Sequence, residues 1–319
     1  MRVALLGAGR IAKVHAPNIA AHAGSSLAAI VDPYAHAAEA LAEEYGATVM
    51  SEDEAFESAD IDAVLIASST DRHADQAERA AKAGKAIFCE KPLDLSLDRV
   101  KAVADVLSAH PVPFMLGFNR RFDPNFEAMK AQIDSGAIGK VELVTILSRD
   151  PSPPPVDYIK VSGGLFRDMM IHDLDMARWL VGEEMTGLNA HGAVHVDPAI
   201  GEAGDIDTAL VTMKSASGVL VSISNSRRAT YGYDQRIEVH GSKGMVSAEN
   251  VRESTMVLAN EAGIRLERPM HFFLERYAAA YVREWDAFVR LVAGEDVTVP
   301  GIAEGLASLA LADQAAAAV

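Results

Sequence analysis

The chain has 319 residues, half of them hydrophobic and 23% charged, a length that suits two globular cores better than one. Its formal net charge of −16 repels nucleic acid and anionic membranes, and the densest basic run, Arg227-Arg228, is too short to offset that. The single cysteine, Cys89, excludes an intrachain disulfide and a cysteine-cluster metal site. No apolar run approaches a membrane span or the core of a signal peptide, so a cytoplasmic location is expected.

Apolar runs at 3–6, 27–31, 63–67, 86–89 and 114–117 predict strands, and the helix-forming stretches 11–22, 35–45, 71–83 and 97–109 lie between them. This alternation, with strands apolar throughout, predicts a doubly wound parallel sheet buried on both faces, a Rossmann domain over 1–117. Beyond Gly117 the pattern changes. A helix over 125–135 leads to a strand over 141–147 and then to Asp150-Pro151-Ser152-Pro153-Pro154-Pro155, prolines too dense for a ladder or a helix and therefore a loop. A helix is predicted over 165–181. Alternating runs between 188 and 266, such as Leu210-Val211-Thr212-Met213, are separated by Gly/Ser turns. They predict a large, mostly antiparallel open sheet with one covered face. Helices over 273–292 and 302–317 close an α+β domain that takes in 118–319.

Gly7-Ala8-Gly9-Arg10-Ile11-Ala12 follows the first strand and opens the first helix. Gly7 permits a tight turn, Gly9 lets the backbone approach a pyrophosphate, and Ala12 fills the third, small-residue position. The helix N-terminus offers N–H groups and partial positive charge to phosphates. A plain glycine turn would explain the glycines alone. Asp32, closing the second strand roughly 20 residues on, completes the fingerprint. Its carboxylate accepts from ribose hydroxyls and repels a 2′-phosphate, and Pro33-Tyr34-Ala35-His36 brings no Arg or Lys, so NAD is the expected cofactor. Ser68, Ser69 and Thr70, at the carboxyl end of the 63–67 strand, are expected on the nicotinamide side; Thr70 or Asp71 reads equally well as a helix cap.

Glu90-Lys91-Pro92 ends the 86–89 strand and aims a lysine at the same crevice. Pro92 restricts Lys91 to extended backbone, and Glu90 is placed to pair with its ammonium. In isolation an exposed strand-end lysine explains it as well. Asp168 and His172, four apart on the predicted 165–181 helix, share a face. A carboxylate one turn away favours the imidazolium and tunes the imidazole as a base, although the pair alone reads more readily as a solvated helix face. Asp173 is a further metal-ligand type, but it is expected to project away from Asp168 and His172, and no metal is expected.

The Gly-x-Gly-Arg-Ile turn, Glu90-Lys91-Pro92, Gly117-Phe118-Asn119-Arg120-Arg121-Phe122-Asp123 and Asp168-x-x-x-His172 run the length of the chain. In that order the sequence resembles the glucose-fructose oxidoreductase/inositol dehydrogenase/MocA family. Ser148-Arg149-Asp150-Pro151, Gly163-Gly164-Leu165-Phe166-Arg167-Asp168 and Tyr231-Gly232-Tyr233-Asp234 look most like its bacterial inositol 2-dehydrogenases. The resemblance implies a catalytic set of Lys91, Asp168 and His172. In it His172 takes the hydroxyl proton, Asp168 orients the imidazolium, and Lys91 hydrogen-bonds the reacting oxygen. It further implies polyol contacts from Asn119, Arg120, Asp150 and Tyr231 or Tyr233, and a homotetramer. The implied reaction is NAD-dependent oxidation of a cyclitol, myo-inositol to 2-keto-myo-inositol. Family members differ at the Asn119 and Ser148 positions, so a pyranose or another inositol isomer is the alternative substrate, and a non-catalytic NAD-binding regulator is the rival class.

Overall fold

The computed structural model describes residues 1–319, which divide into two units: 1–119 with 280–309, and 120–279 with 310–319. The first unit starts with β1 (Arg2–Leu6), α1 (Ala12–Ala21), β2 (Ser26–Val31), α2 (Ala35–Tyr45), β3 (Thr48–Val49) and α3 (Glu52–Glu57). It continues with β4 (Ala63–Ile66), α4 (Thr70–Lys82), β5 (Ala86–Cys89), α5 (Leu97–Ala109) and β6 (Phe114–Leu116). The strands form one parallel sheet in the order β3-β2-β1-β4-β5-β6, and β4 and β5 are buried at every residue. This is the expected doubly wound sheet, with two additions. β3 is only two residues long, too short for a periodicity signal. α3 carries a capping box, in which Ser51 accepts from the Glu54 N–H and Glu54 accepts in return from the Ser51 N–H.

The second unit holds α6 (Pro124–Asp134), β7 (Val141–Arg149), α7 (Val156–Ser162), α8 (Ile171–Val181), β8 (Met185–Ala193) and α9 (Pro198–Glu202). After these come β9 (Thr208–Ser215), β10 (Leu220–Ser226), β11 (Asp234–Gly241), β12 (Gly244–Ala248), β13 (Val257–Asn260), β14 (Gly263–Leu266) and α10 (Phe273–Arg276). Six of its strands form an open sheet, β12-β11-β7-β10-β9-β8. All its pairings are antiparallel except β7 with β10. β9 and β10 alternate buried with accessible residues, as one covered face requires, and β13 and β14 form a separate hairpin rather than extending the sheet.

Two helices depart from expectation. The stretch 165–181 is not one α-helix: Phe166–Met170 is π-helical, with i→i+5 bonding, and α8 begins only at Ile171. The 273–292 helix breaks at Tyr277 into α10 and α11 (Ala278–Val292), and α12 (Ile302–Ala317) follows. Residues 280–309, expected with the second domain, belong to the first unit because α11 turns an aromatic face onto β5. Phe88 meets Trp285 at 6.2 Å and Phe288 at 5.7 Å between ring centroids, and burial of such rings dominates a local core.

Candidate active site

In a parallel sheet every carboxyl end lies on one edge, so Gly7, Asp32, Ser68, Glu90 and Gly117, each following its strand, share the ligand-binding edge of the first unit. Gly7 has φ +108°, and a Cβ there would stand 2.5 Å from the Ala67 carbonyl oxygen. Over Gly9 a Cβ would meet nothing within 4 Å, so bare backbone faces outward. No side chain caps α1 and its first turn holds no acid, so no negative side chain competes with an anion for the positive end of the helix. Asp32 Oδ2 accepts from the Ala8 N–H at 2.7 Å and Oδ1 from the Tyr34 N–H at 2.8 Å. The carboxylate is thus locked beside the glycine turn, with a second lone pair on each oxygen for ribose hydroxyls. Arg10 is exposed and Ile11 half-buried at the helix entrance. These residues fit the diphosphate and ribose of NAD.

Ser68 Oγ donates to Gln76 Oε1 at 2.6 Å. Ser69 takes the cap position of α4 without a side-chain bond, and Thr70 is its first residue, so neither Thr70 nor Asp71 is the cap. His73, which the sequence reading passed over, is buried with its ring nitrogens 2.9 Å from the Pro92 carbonyl and 3.1 Å from that of Ser68. It ties the Ser68 turn to the Glu90-Lys91-Pro92 turn, and burial lowers its pKa. Lys91 is half-buried, and its bond to Pro92 is cis. The Glu90 carboxylate contacts His15 Nε2 at 2.6 Å and accepts from the Lys91 backbone N–H at 3.2 Å.

In the second unit Asp168 sits in the π turn and His172 in the first turn of α8, both half-buried. Tyr158 Oη donates to Asp168 Oδ1 at 2.9 Å, and Arg227 Nη2 donates to Oδ2 at 3.4 Å. Arg227, expected only as half of a short basic run, is a fully buried cation that also faces Asp205 at 3.8 Å. Asp205 in turn receives the Leu165 N–H at 3.0 Å, and a Cβ on Gly164 (φ +81°) would stand 2.7 Å from its Oδ1. The entry to the π turn is therefore pinned. Asp150 shares this neighbourhood. Burial pushes its carboxyl up to about 7, Asp168 and Asp173 add to the rise, and Arg227 and Arg120 oppose it.

Asp173 does project away from the half-buried face. It is buried against the sheet, paired with Arg120 and accepting from Asn225 Nδ2 at 2.9 Å. Ser148 and Gln235 continue the network at 2.9 Å, and Asn225, Ser148 and Gln235 are register partners across β10, β7 and β11. Burial raises the Asp173 pKa, against the pull of Arg120 and Asn225. Arg120 and Tyr233, expected as polyol contacts, are core residues. Arg120 is 4% exposed, with its donors turned to Asp173 and Ser148. The Tyr233 ring stands edge-on to Phe272 and Tyr277. Tyr231 is exposed, donating to Asp234 at 2.5 Å and accepting from Arg149 at 3.1 Å. Asn119 is buried and opens a 3₁₀ turn ending at Phe122.

Dinucleotide chemistry thus falls to the first unit and acid–base groups to the second, the division of labour of a nicotinamide-dependent oxidoreductase. The model of the oxidoreductase family with an NAD-binding Rossmann fold matches residues 1–118, and that of the GFO/IDH/MocA C-terminal domain matches 126–247. The chain belongs to the GFO/IDH/MocA oxidoreductase family and binds NAD. It is 54% identical to an inositol 2-dehydrogenase of Rhizobium meliloti, across 100% of this chain and 97% of that one. With a myo-inositol 2-dehydrogenase of Thermotoga maritima it shares 47% identity, over 94% and 91% of the two chains. The crystal structure of scyllo-inositol dehydrogenase from Lactobacillus casei with bound NAD(H) and scyllo-inositol superposes with a TM-score of 0.92 at 32% identity, covering 100% of this chain and 96% of that one. No helix is long and apolar enough to cross a membrane.

Proposed function

We propose that this protein oxidises myo-inositol to 2-keto-myo-inositol. The observation that carries the reading is the acceptor-rich cluster of the second unit, Asp150 and Asp168 around buried Arg227 with His172 one turn on, in a chain similar end to end to inositol 2-dehydrogenases. A polyol needs many fixed acceptors, and carboxylates held by buried cations supply them.

When bound, NAD supplies the acceptor for the hydride. Gly7, Gly9, Arg10, Ile11 and Asp32 hold its diphosphate and adenosine ribose; Ser68, Ser69, Thr70, Glu90 and Lys91 flank the nicotinamide side. His172 removes the hydroxyl proton as the C–H electron pair departs, so the carbon becomes a ketone. Asp168, fixed by Tyr158 and Arg227, stabilises the imidazolium. Lys91 donates to the reacting oxygen and stabilises its developing charge. Asn119, Asp150 and Tyr231 hold other hydroxyls, while Arg120 and Tyr233 act through the buried network.

NADH production across myo-inositol, scyllo-inositol, glucose and xylose tests this reading. Turnover is expected to be fastest on myo-inositol. A faster pyranose or scyllo isomer gives the substrate to the alternative, and NADH binding without turnover on any polyol makes the protein a regulator. The enzyme acts in the cytoplasm as a homotetramer. The outer face of its large sheet supports the latter, for Met245, His240, Leu143, Leu220 and Lys214 form one cross-strand row whose three apolar members are exposed. A light-scattering mass near 34.0 kDa rather than four times that would contradict it.

A further inference from the structure

Behind Lys91 lie three ionisable side chains from distant parts of the chain. His15 on α1, Glu90 after β5 and Glu284 on α11 are all buried, and their ligating atoms lie within 4.8 Å of one another. Leaving such groups in an apolar core is costly unless they are paired, and aromatic rings enclose them. Phe88 and Tyr281 stand edge-on to the His15 ring at 5.2 and 5.6 Å, and Phe88 also meets Trp285 and Phe288 of α11.

We propose that His15 and Glu90, packed beside the carboxyl of Glu284, form a positioning cluster that fixes the backbone at Lys91 against the dinucleotide helix α1. The links are continuous. α1 begins at the glycine turn, and His15 Nε2–H donates to Glu90 Oε1 at 2.6 Å. Glu90 Oε2 then accepts the Lys91 N–H at 3.2 Å. A Cβ on Gly117 would stand 3.1 Å from Oε2, so the absence of a side chain there keeps the Glu90 carboxylate in place. Burial, with the charge of Glu90 beside it, drives the Glu284 carboxyl well up. That rise favours the neutral carboxyl, which sets no second negative charge beside Glu90, and neither Glu284 oxygen has a hydrogen-bond partner. A shared metal does not suit this spacing: two ligands of one tetrahedral zinc lie about 3.3 Å apart at bond lengths of about 2.0–2.1 Å, whereas His15 and Glu90 stand at 2.6 Å.

The proposal rests on Lys91 acting at the reacting oxygen. If Lys91→Ala turned over normally, that assignment would fail; if Lys91→Ala were dead but His15→Phe normal, only the cluster would fail. The test compares His15→Phe, which keeps the aromatic shape, with His15→Gln, which restores a donor to Glu90. Turnover is expressed per NADH-binding site, so that lost folding does not count. His15→Phe should lower kcat about tenfold or more, with a larger primary deuterium isotope effect and an NADH Kd within about threefold of wild type. His15→Gln should recover most of kcat. Unchanged kcat per site, kcat and Kd worsening together, no recovery in His15→Gln, or a stoichiometric metal in the purified protein would each overturn the proposal. Should His15→Phe not fold, His15→Leu should lose about tenfold in kcat while His15→Gln recovers most of it. Equal rates for the two would overturn it.

Discussion

Arg227 Nη2 stands 3.4 Å from Asp168 Oδ2, and the arginine is 1% exposed. With Asp205 at 3.8 Å, one buried cation serves two carboxylates, one in the π turn and one at its entry. Arg227→Met would remove the buried cation that faces both. Breaking a buried pair from one side costs about 3–5 kcal/mol, so the denaturant midpoint should fall steeply. Arg227→Lys should recover only part, because an ammonium lacks the planar fork. An unchanged midpoint in Arg227→Met would mean that these ion pairs do not hold the turn.

Asp150 predicts a pH signature. Its folded pKa of about 7 lies above the ordinary 3.8, so between those values the native state holds a proton that the unfolded chain has released. Stability from this group therefore declines as pH rises from 3.8 to about 7 and is flat beyond. Asp150→Asn should match wild type in Tm at pH 4 and exceed it at pH 8. The ionised carboxylate is also the better polyol acceptor, so wild-type KM should fall as pH rises through neutrality, and that of Asp150→Asn should not. Equal Tm differences at both pH values would refute the assignment.

Asp32 should set cofactor choice, since its carboxylate is locked beside the glycine turn by the Ala8 and Tyr34 N–H groups. Asp32→Ser should weaken NAD use and relax the bias against NADP. Efficient NADP use by wild type would contradict this.

Much of this was legible in the sequence for physical reasons. The strands of the first unit are apolar end to end because both sheet faces are covered, and Gly7, Gly9 and Asp32 stand where a dinucleotide turn needs them. What escaped has no one-dimensional trace. The π turn at Phe166–Met170 has the composition of an α-helix. Arg227 reads as a surface charge until Asp168 and Asp205 are seen around it. The packing of the Tyr233 ring edge-on to Phe272 and Tyr277 likewise leaves no trace in the sequence. The return of α11 to the first unit depends on Trp285 and Phe288 meeting Phe88, a contact between residues nearly 200 apart in sequence. Ser51 with Glu54, by contrast, is a capping box whose spacing in the sequence marks the start of α3.

Lys91 should matter to the chemical step rather than to cofactor capture. Lys91→Ala is expected to bind NADH nearly as wild type does while losing most turnover. Comparable losses in affinity and rate would make it a cofactor ligand.

We propose His172 as the base for polyol oxidation, and the decisive measurement is the pH dependence of kcat with NAD and myo-inositol. Comparison of kcat, rather than KM, keeps the titration of Asp150 apart. General-base assistance contributes about 10²–10⁴-fold, so His172→Ala should lose activity by roughly that factor and lose the acidic limb of the wild-type profile. Asp168→Asn should be less severe, since the imidazole remains. A His172→Ala enzyme that kept both the wild-type rate and the same acidic limb would show that His172 is not the base.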